Sequence, residues 1–411
     1  MLRSRDAALI YGAGLIRSTT VGLVGVVLAI YLSQIGLSAA AIGVVIGSGL
    51  AGAAVATGTA GLLADTVGRQ RSLIAIALLS ALGYVAFALF NHLTVLVAVA
   101  FFGMLNGMGR DRGAASALEQ AILPETTGPE RRTLALAWYN LALDTGHACG
   151  ALAAVLPAVL ISWLDVDRIT AHRWTLFACG ALSAATAILY AGLTPHVEIQ
   201  TTHERPGTLD RSTRRNVIKL AALFGIDSLG GGLLSSALIA YWFFRRYGLS
   251  ETELALLFFA ARVLNAASHL MAAWLARRIG LVNTMVFTHL PSSLFLLATP
   301  FAPSGTAATI LFLAREALVE MDVPTRQSYV MAIVKPHERT FASGVTNVTR
   351  TVAWAIGSTL AGSMMQQVLA APLFVGGALK IVYDLVLYRA FRDIHPPEES
   401  RAAVVAPYEG S

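Results

Sequence analysis

The sequence has few charged residues for its length. Asp, Glu, Lys and Arg make up 13 % of its 411 residues, while hydrophobic residues make up 56 %. An ordinary soluble domain carries about 25 % charged residues. A soluble chain of this length would also divide into domains and expose more charged surface. The shortage of charge therefore excludes a soluble protein and indicates a surface that faces lipid.

Several chemical signatures are also missing. The two cysteines, Cys149 and Cys179, lie in apolar stretches without C-x-x-C spacing, so neither a disulfide framework nor a metal site is indicated. No phosphate-binding loop is present, which argues against ATP hydrolysis. The motifs H-E-x-x-H and G-x-S-x-G are absent too. We therefore expect no enzyme activity, no metal and no cofactor.

The chain instead contains apolar runs along its whole length. A helix needs about 20 apolar residues to cross a bilayer, and runs of that size predict an all-α protein with twelve spans. We refer to them as spans 1 to 12: 8–34, 39–64, 72–90, 93–122, 133–163, 173–194, 216–244, 250–276, 281–300, 305–333, 339–367 and 372–391.

The basic residues predict how these spans are oriented. With the N-terminus inside, cytoplasmic segments hold 18 of the 30 Lys and Arg residues and outward loops hold four. This bias places both termini in the cytoplasm of an inner, cytoplasmic membrane. It also accounts for the net charge of +6 without a nucleic-acid partner.

One connection alone is long and polar, so we predict a six-helix bundle over 1–194, a cytoplasmic linker over 195–215, a second bundle over 216–392 and a cytoplasmic tail over 393–411.

The two predicted bundles are related in sequence. The tripeptide Gly-Leu-Ser opens span 2 at residue 36 and span 8 at residue 248, an offset of 212 residues. The pair Arg132-Thr133 and Asn140 recur as Arg339-Thr340 and Asn347, at an offset of 207 residues. Each half has an even number of spans, so the halves would insert in the same direction. Parallel six-helix repeats are a known transporter plan.

The loop after span 2 carries a family motif. It reads GLLADTVGRQRS from Gly61 to Ser72 and resembles the loop signature of the major facilitator superfamily, although Thr66 stands where a basic residue is usual. The resemblance implies a secondary transporter with twelve helices in two parallel-repeat bundles. It also implies a gating role for this loop, with the following residues: Gly61, Asp65, Gly68, Arg69 and Arg71.

Charged residues inside the spans support a polar cavity. The family's fold places spans 1, 4, 7 and 10 around the centre, and these spans carry most of the embedded charges. A charge at a helix centre costs roughly 2.5–3.5 kcal/mol on insertion scales, so these side chains should face a cavity or pair. The candidates for substrate binding or proton coupling are Arg17, Arg110, Asp111, Arg112, Asp227, Arg315, Glu316, Glu320, Asp322 and Arg326.

Two interpretations of these charges stay open. Glu316 and Glu320 lie four residues apart, and two close carboxylates favour protonation of one of them, so they either carry the coupling proton or pair with nearby arginines. Arg112 and Arg326 either bind an anionic group of the substrate or hold the two halves together. Lys380 and Asp384, also four residues apart, are interpreted as an ion pair within span 12.

The sequence thus predicts a monomeric, multi-pass secondary transporter of a small solute. We expect alternating access coupled to protons. Export of a drug, metabolite or metalloid is slightly favoured, because the cavity is apolar and arginine-bearing and lacks a sugar-type cluster of Asn, Gln and aromatic residues. The alternatives are an importer of the same fold and a channel or receptor-like membrane protein.

Overall fold

A computed structural model of the protein describes residues 5–127, 132–198, 211–322 and 339–391, and within these ranges every regular element is helical. The α-helices are α1 Arg5–Gln34, α2 Ala39–Val67, α3 Arg69–Leu89, α4 Leu93–Gly103, α5 Ala114–Thr127, α6 Arg132–Ala153, α7 Leu156–Leu164, α8 Arg168–Ala191, α9 Arg211–Leu233, α10 Ser236–Tyr247, α11 Glu251–Ile279, α12 Leu281–Ala298, α13 Gly305–Val319, α14 Arg339–Gln367 and α15 Ala371–Phe391. Short 3₁₀ turns cover Pro195–Val197 and Thr299–Phe301.

These helices confirm the all-α membrane architecture. Each of the twelve predicted spans coincides with one or two of them, although residues 323–333 of span 10 lie outside the described ranges. Among the described residues, nine helical stretches are long and apolar enough to cross a membrane. The lipid-facing surface inferred from the shortage of charge is visible as exposed apolar side chains such as Leu82, Phe102 and Ile188.

Three spans that were predicted as continuous helices are interrupted. Span 4 stops at Gly103 and resumes at Ala114, because Met104 and Gly109 adopt the left-handed conformation with φ of 53° and 68°. Span 5 is broken between α6 and α7, where Pro157 stands at the start of the second helix and has no N–H for the helical ladder. Span 7 is broken between α9 and α10, immediately after three consecutive glycines, 230–232.

One pair of helices from the two halves has the same length and the predicted offset. Helices α2 and α11 each contain 29 residues, and α11 starts and ends 212 positions after α2. Both are bounded by glycines with positive φ, at 90° for Gly36 and 67° for Gly248 before them, and at 106° for Gly68 and 84° for Gly280 after them. L-residues rarely adopt this conformation, which glycine reaches at no steric cost. The duplicated glycines therefore fix both ends of the duplicated helix.

The chain forms two compact units. Unit 1 contains Met1–His203, Gly231–Arg262 and Thr351–Leu373, and unit 2 contains Glu204–Gly230, Val263–Arg350 and Phe374–Ser411. Each has its own buried apolar cluster, around Tyr139 in unit 1 and around Tyr383 in unit 2. The boundaries proposed for the linker and the tail stay a prediction.

Glycines bring three helices of unit 1 unusually close. A Cβ added to Gly43 of α2 would lie 2.6 Å from the Cα of Gly362 in α14, and one added to Gly25 of α1 would lie 2.6 Å from the Cα of Gly109. Real Cβ atoms do not approach so closely. Small residues at helix contacts are how membrane helices reach close packing, so these contacts bind α14 and the interrupted part of span 4 to the first two helices.

Candidate functional site

A buried ion cluster lies at the centre of unit 1. Arg17 of α1 donates through Nε to Asp111 Oδ2 at 2.5 Å and through Nη2 to Glu119 Oε2 at 2.6 Å. Tyr139 of α6 donates its hydroxyl to Glu119 Oε2 at 2.6 Å, and Tyr190 of α8 donates to Glu119 Oε1 at 2.7 Å. Four spans of the first half therefore converge on one guanidinium. We call these five residues the Arg17 cluster.

The two carboxylates of the Arg17 cluster are satisfied to different degrees. Glu119 is completely buried and accepts four hydrogen bonds, two from Arg17 and one from each tyrosine. Asp111 is 7 % exposed and accepts one bond, from Arg17 Nε, among the contacts that the structure describes for its carboxylate. The geometry therefore leaves Asp111 as the less fully hydrogen-bonded of the two carboxylates.

A small cavity of about 60 Å³ adjoins the Arg17 cluster. A water molecule needs about 10–15 Å³ by the same measure, so a few waters fit and a drug-sized solute does not. Its walls include Arg17 and Asp111, together with these polar side chains: Thr20, Ser80, Tyr84, Asn106, Ser183 and Thr186. The cavity therefore has room for water beside Asp111, and hydroxyl groups line it.

The interruption of span 4 is held in place by the start of α10. Ala237 donates its backbone N–H to Gly107 O at 3.0 Å, and Ser236 donates its hydroxyl to Met108 O at 2.9 Å. Arg262 of α11 donates in turn to Ser236 Oγ at 3.1 Å. These bonds satisfy carbonyls that the broken helix leaves without a partner, as membrane-embedded irregular backbone requires. Unit 1 thus joins segments from both sequence halves at the interruption.

The two arginines that flank Asp111 lie on this interrupted segment. The guanidinium of Arg112 stacks over the ring of Trp354, with 5.8 Å between Cζ and the ring centroid. The backbone carbonyl of Arg110 accepts a bond from Asn106 Nδ2 at 2.7 Å. The backbone N–H of Asp111 donates to His147 Nε2 at 2.8 Å, which fixes that ring nitrogen as an acceptor. His147 therefore anchors the loop that carries all three charged residues.

Unit 2 contains a second set of buried charges. Lys380 of α15 donates to Asp227 of α9 at 2.8 Å, and His289 of α12 contacts Asp384 of α15 at 2.9 Å. The interpretation of Lys380 and Asp384 as a pair within one helix is wrong, because each finds its partner on a different helix. Buried charges cost less when they are paired, and partners across helices also tie the bundle together.

The candidates of span 10 are also buried in unit 2. Glu316 pairs with the neighbouring Arg315 and accepts a bond from Asn265 Nδ2 of α11 at 3.0 Å. Glu320 and Asp322 are 6 % and 3 % exposed. Arg326 lies outside the described residues. The contacts of Glu316 agree with a structural pairing of this residue, and they leave a role of Glu320 in proton carriage as a prediction.

The loop motif forms the junction of α2 and α3. Asp65 Oδ1 lies 3.4 Å from Arg69 Nε, one helical turn away, and the N–H of Gly68 donates to Ala64 O at 2.9 Å. Arg71 is exposed, and a Cβ at Gly61 would meet nothing within 4 Å. The N-terminus of α3 is capped instead by Glu198, whose carboxylate accepts from the N–H groups of Arg69 at 2.7 Å and Gln70 at 3.2 Å.

Sequence reasoning did not select several of these residues. Tyr139 and Tyr190 were not selected, because a single buried Tyr in an apolar helix is typical of ordinary core. Glu198 stands in the polar linker among other acidic and basic residues, and nothing in the sequence singles it out. Their partners lie 20 to 173 residues away along the chain, a distance that no local pattern spans.

Comparison with known proteins identifies relatives of the whole chain. The sequence profile described as Major Facilitator Superfamily matches residues 10–358 and again 220–406. An uncharacterized membrane protein of Saccharomyces cerevisiae is 25 % identical over 418 residues, which cover 93 % of each chain. Among solved structures, a D-xylose-proton symporter has a TM-score of 0.76 at 15 % identity and covers 96 % of this chain and 98 % of its own. A variant of the nucleoside transporter NupG has a TM-score of 0.74 at 14 % identity, covering 94 % and 100 %.

Proposed function

Because the chain belongs to the major facilitator superfamily, we propose that it is a proton-coupled secondary active transporter that moves a small solute by alternating access. The Arg17 cluster carries this proposal. Two carboxylates share one guanidinium inside the membrane, so one negative charge exceeds the positive charge within these five residues. Ionisable groups at this depth are costly and are typical of proton relays.

Asp111 is our first candidate for the proton carrier. It is the less satisfied carboxylate, and it borders a cavity large enough for a few water molecules. Protonation of Asp111 would release Arg17 from one partner while Glu119 keeps its four bonds. A proton could thereby weaken the tie between α1 and the interrupted segment of span 4 without leaving a charge unpaired. Such a change in pairing is a local event of the kind that shifts a two-state transporter.

Glu316 and Glu320 form our second candidate site for the proton. Glu316 is buried and paired with Arg315, so its protonation would free an arginine in unit 2 in the same way. Arg112 and Arg326 are the proposed contacts for an anionic group of the substrate. The position of Arg112 over Trp354 supports recognition of a flat organic anion, because a guanidinium stacked on an aromatic ring is held in a fixed orientation.

We favour export across the cytoplasmic membrane, with both termini in the cytoplasm. The bias of basic residues supports this orientation. Export is favoured on the sequence, because the embedded charges include arginines and the spans lack a sugar-type cluster of Asn, Gln and aromatic residues. One structural relative is a proton symporter by name, so the fold is compatible with coupling to protons. Import by symport is the second candidate function.

The test needs an assay that does not require a known substrate. Inside-out vesicles from an overexpressing strain are energised, and a dye reports the pH gradient while amphiphilic drugs, organic anions and metalloid compounds are added one at a time. An antiporter dissipates the gradient when its substrate is present. We expect at least one compound to do so in the wild type. Asp111→Asn should abolish the signal while keeping the protein in the membrane.

Matched variants separate coupling from loss of charge. Asp165→Asn removes an exposed acid at a left-handed position with φ of 51°, which asparagine tolerates, and it should transport normally. Glu316→Gln distinguishes the two proton sites. A full signal in Asp111→Asn together with loss in Glu316→Gln would move the proton site to unit 2. Uptake of a nutrient driven by an inward proton gradient would replace export by import.

A further inference from the structure

The break in span 7 leaves the start of a helix inside the membrane. The apolar stretch Ala221–Tyr247 contains 27 residues, and α10 begins near its middle, at Ser236. The first N–H groups of any helix have no partner within the helix, and they form the positive end of its dipole. One of them, the N–H of Ala237, donates to Gly107 O. In membrane transporters, helix starts at this depth typically point at anionic groups of the substrate.

The residue that precedes α10 is a buried serine whose hydroxyl makes no described contact. Ser235 occupies the N-cap position of α10 and is completely buried. A serine at this position usually accepts a bond from one of the first N–H groups, but Ser235 does not. Its Oγ has no hydrogen-bond partner among the residues that the structure describes. A buried hydroxyl without a partner costs free energy, and a ligand that accepts a bond from it would remove that cost.

An arginine stands at the start of α10, where an acidic residue would be the usual neighbour. Acidic side chains are stabilised at the N-terminus of a helix and basic ones at its C-terminus. The C-terminus of α10 follows this rule with Arg245 and Arg246. Its N-terminus does not, because Arg262 of α11 donates through Nη2 to Ser236 Oγ at 3.1 Å. A guanidinium and the positive end of a helix dipole therefore lie side by side, and an anion next to them would interact favourably with both.

Two more arginines lie near the same point. Arg110 and Arg112 belong to the interrupted segment of span 4, which the start of α10 holds in place. Together with Arg262, they lie close enough to the ring of His147 to act on its charge. Asp111, the acid that stands between them in the sequence, belongs to the Arg17 cluster. Three basic side chains thus lie around the segment that packs on the start of α10.

We infer that the start of α10 binds an oxyanion, a carboxylate or phosphate group carried by the transported solute. The Ser235 hydroxyl and the first N–H groups of α10 donate to its oxygens, as helix N-termini do for anions in general. Arg262 supplies charge-assisted bonds from a planar, forked group that matches an oxyanion. The inference rests on the proposed function and deepens it, because it gives the solute a chemical class. It also places Arg262 in the substrate site beside Arg112.

Binding of a labelled probe measures this site without any transport. Radiolabelled benzoate is bound to the purified full-length protein in nanodiscs, and unlabelled benzoate, phenyl phosphate or benzamide is added as a competitor. We expect benzoate to bind with a Kd below about 1 mM, the upper end of usual KM values. Both anions should displace the probe, while benzamide, which has a similar shape and no charge, should not. Tighter binding of phenyl phosphate would assign the site to phosphate esters, and tighter binding of benzoate to carboxylates.

Two variants with matched controls test the residues of the site. Ser235→Ala and Arg262→Gln should each weaken benzoate binding by about tenfold or more, because each removes a hydrogen bond to a charged group. Ser235→Ala should do so without lowering thermal stability, because none of the described residues bonds to the hydroxyl that it removes. Ser293→Ala removes another buried hydroxyl without a described partner, and Arg245→Gln removes an exposed arginine at the other end of α10. Both controls should bind benzoate as the wild type does.

The outcomes that contradict the site differ from those that contradict the proposed function. The inference is overturned if neither anion binds at about 1 mM, if benzamide competes as well as benzoate, or if Ser235→Ala or Arg262→Gln binds like the wild type. Proton-linked transport of a neutral or cationic solute by a protein that binds no anion would contradict the site alone. Anion binding that requires Ser235 and Arg262, in a protein that transports nothing, would support the site and contradict the proposed function.

Discussion

Replacement of Arg17 by methionine tests whether the ion pairs of the Arg17 cluster stabilise the protein. Methionine has a comparable length and no charge, so the change removes the guanidinium without opening a large void. Asp111 would lose the bond described for its carboxylate, and Glu119 would lose two of its four. Removing one side of a buried ion pair costs about 3–5 kcal/mol, because it leaves a buried charge without compensation. We expect the free energy of unfolding to fall by about that amount.

The same reasoning predicts a rescue. Adding Asp111→Asn and Glu119→Gln to Arg17→Met removes every net charge from the cluster. Buried ion networks replaced as a whole are often close to neutral in stability, so the triple variant should return to within about 2 kcal/mol of the wild type.

Unfolding by a denaturing detergent in mixed micelles, followed by tryptophan fluorescence, measures these free energies. Arg245→Met is the control, since Arg245 is exposed in the last turn of α10 and its loss should change stability by less than about 0.5 kcal/mol. A cost below about 1 kcal/mol for Arg17→Met would refute the reasoning. A triple variant less stable than the single variant would show that the carboxylates contribute through contacts other than Arg17.

Three further predictions concern packing, capping and unit 2. Gly362→Val should destabilise the protein by about 1–3 kcal/mol, because the branched side chain meets the backbone of α2. Gly58→Val is the control and should be well tolerated, because a Cβ at Gly58 has no neighbour within 4 Å. Thermal aggregation of the purified variants measures both effects. Glu198→Gln should cost about 1 kcal/mol and increase hydrogen exchange at the first turn of α3. Lys380→Met should cost about 3–5 kcal/mol in detergent unfolding, and Asp227→Asn in the same chain should recover most of it.

The large-scale architecture could be predicted because it depends on short-range signals. The hydrophobic thickness of a bilayer sets the length of an apolar run, so hydropathy located all twelve spans. Glycines marked both ends of α2 and α11, because their positive φ is a local requirement that the sequence records. The loop motif from Gly61 to Ser72 was identified because it too is a short, contiguous sequence pattern.

The interruptions and the pairings could not be predicted in this way. Span 4 is as apolar up to Gly103 as a continuous helix would be, and its break depends on carbonyls satisfied by Ser236 and Ala237 from the other half of the chain. The partners of the buried charged residues could not be predicted either. Lys380 and Asp384 fit a pair within one helix, but burial offers each a partner on another helix, and the sequence does not record which of these arrangements packs better.

The fixed length of α2 and α11 has a mechanical consequence. A helix of 29 residues is about 43 Å long. The hydrocarbon core is about 30 Å thick, so the ends of each helix extend beyond the apolar layer. A rigid rotation of about 10° about the midpoint would displace each end by about 4 Å. That displacement is comparable with the 3.6 Å between His172 Nε2 and Glu251 Oε1 at the N-terminus of α11. A small tilt of one of these helices is therefore sufficient to make or break a side-chain contact at its end.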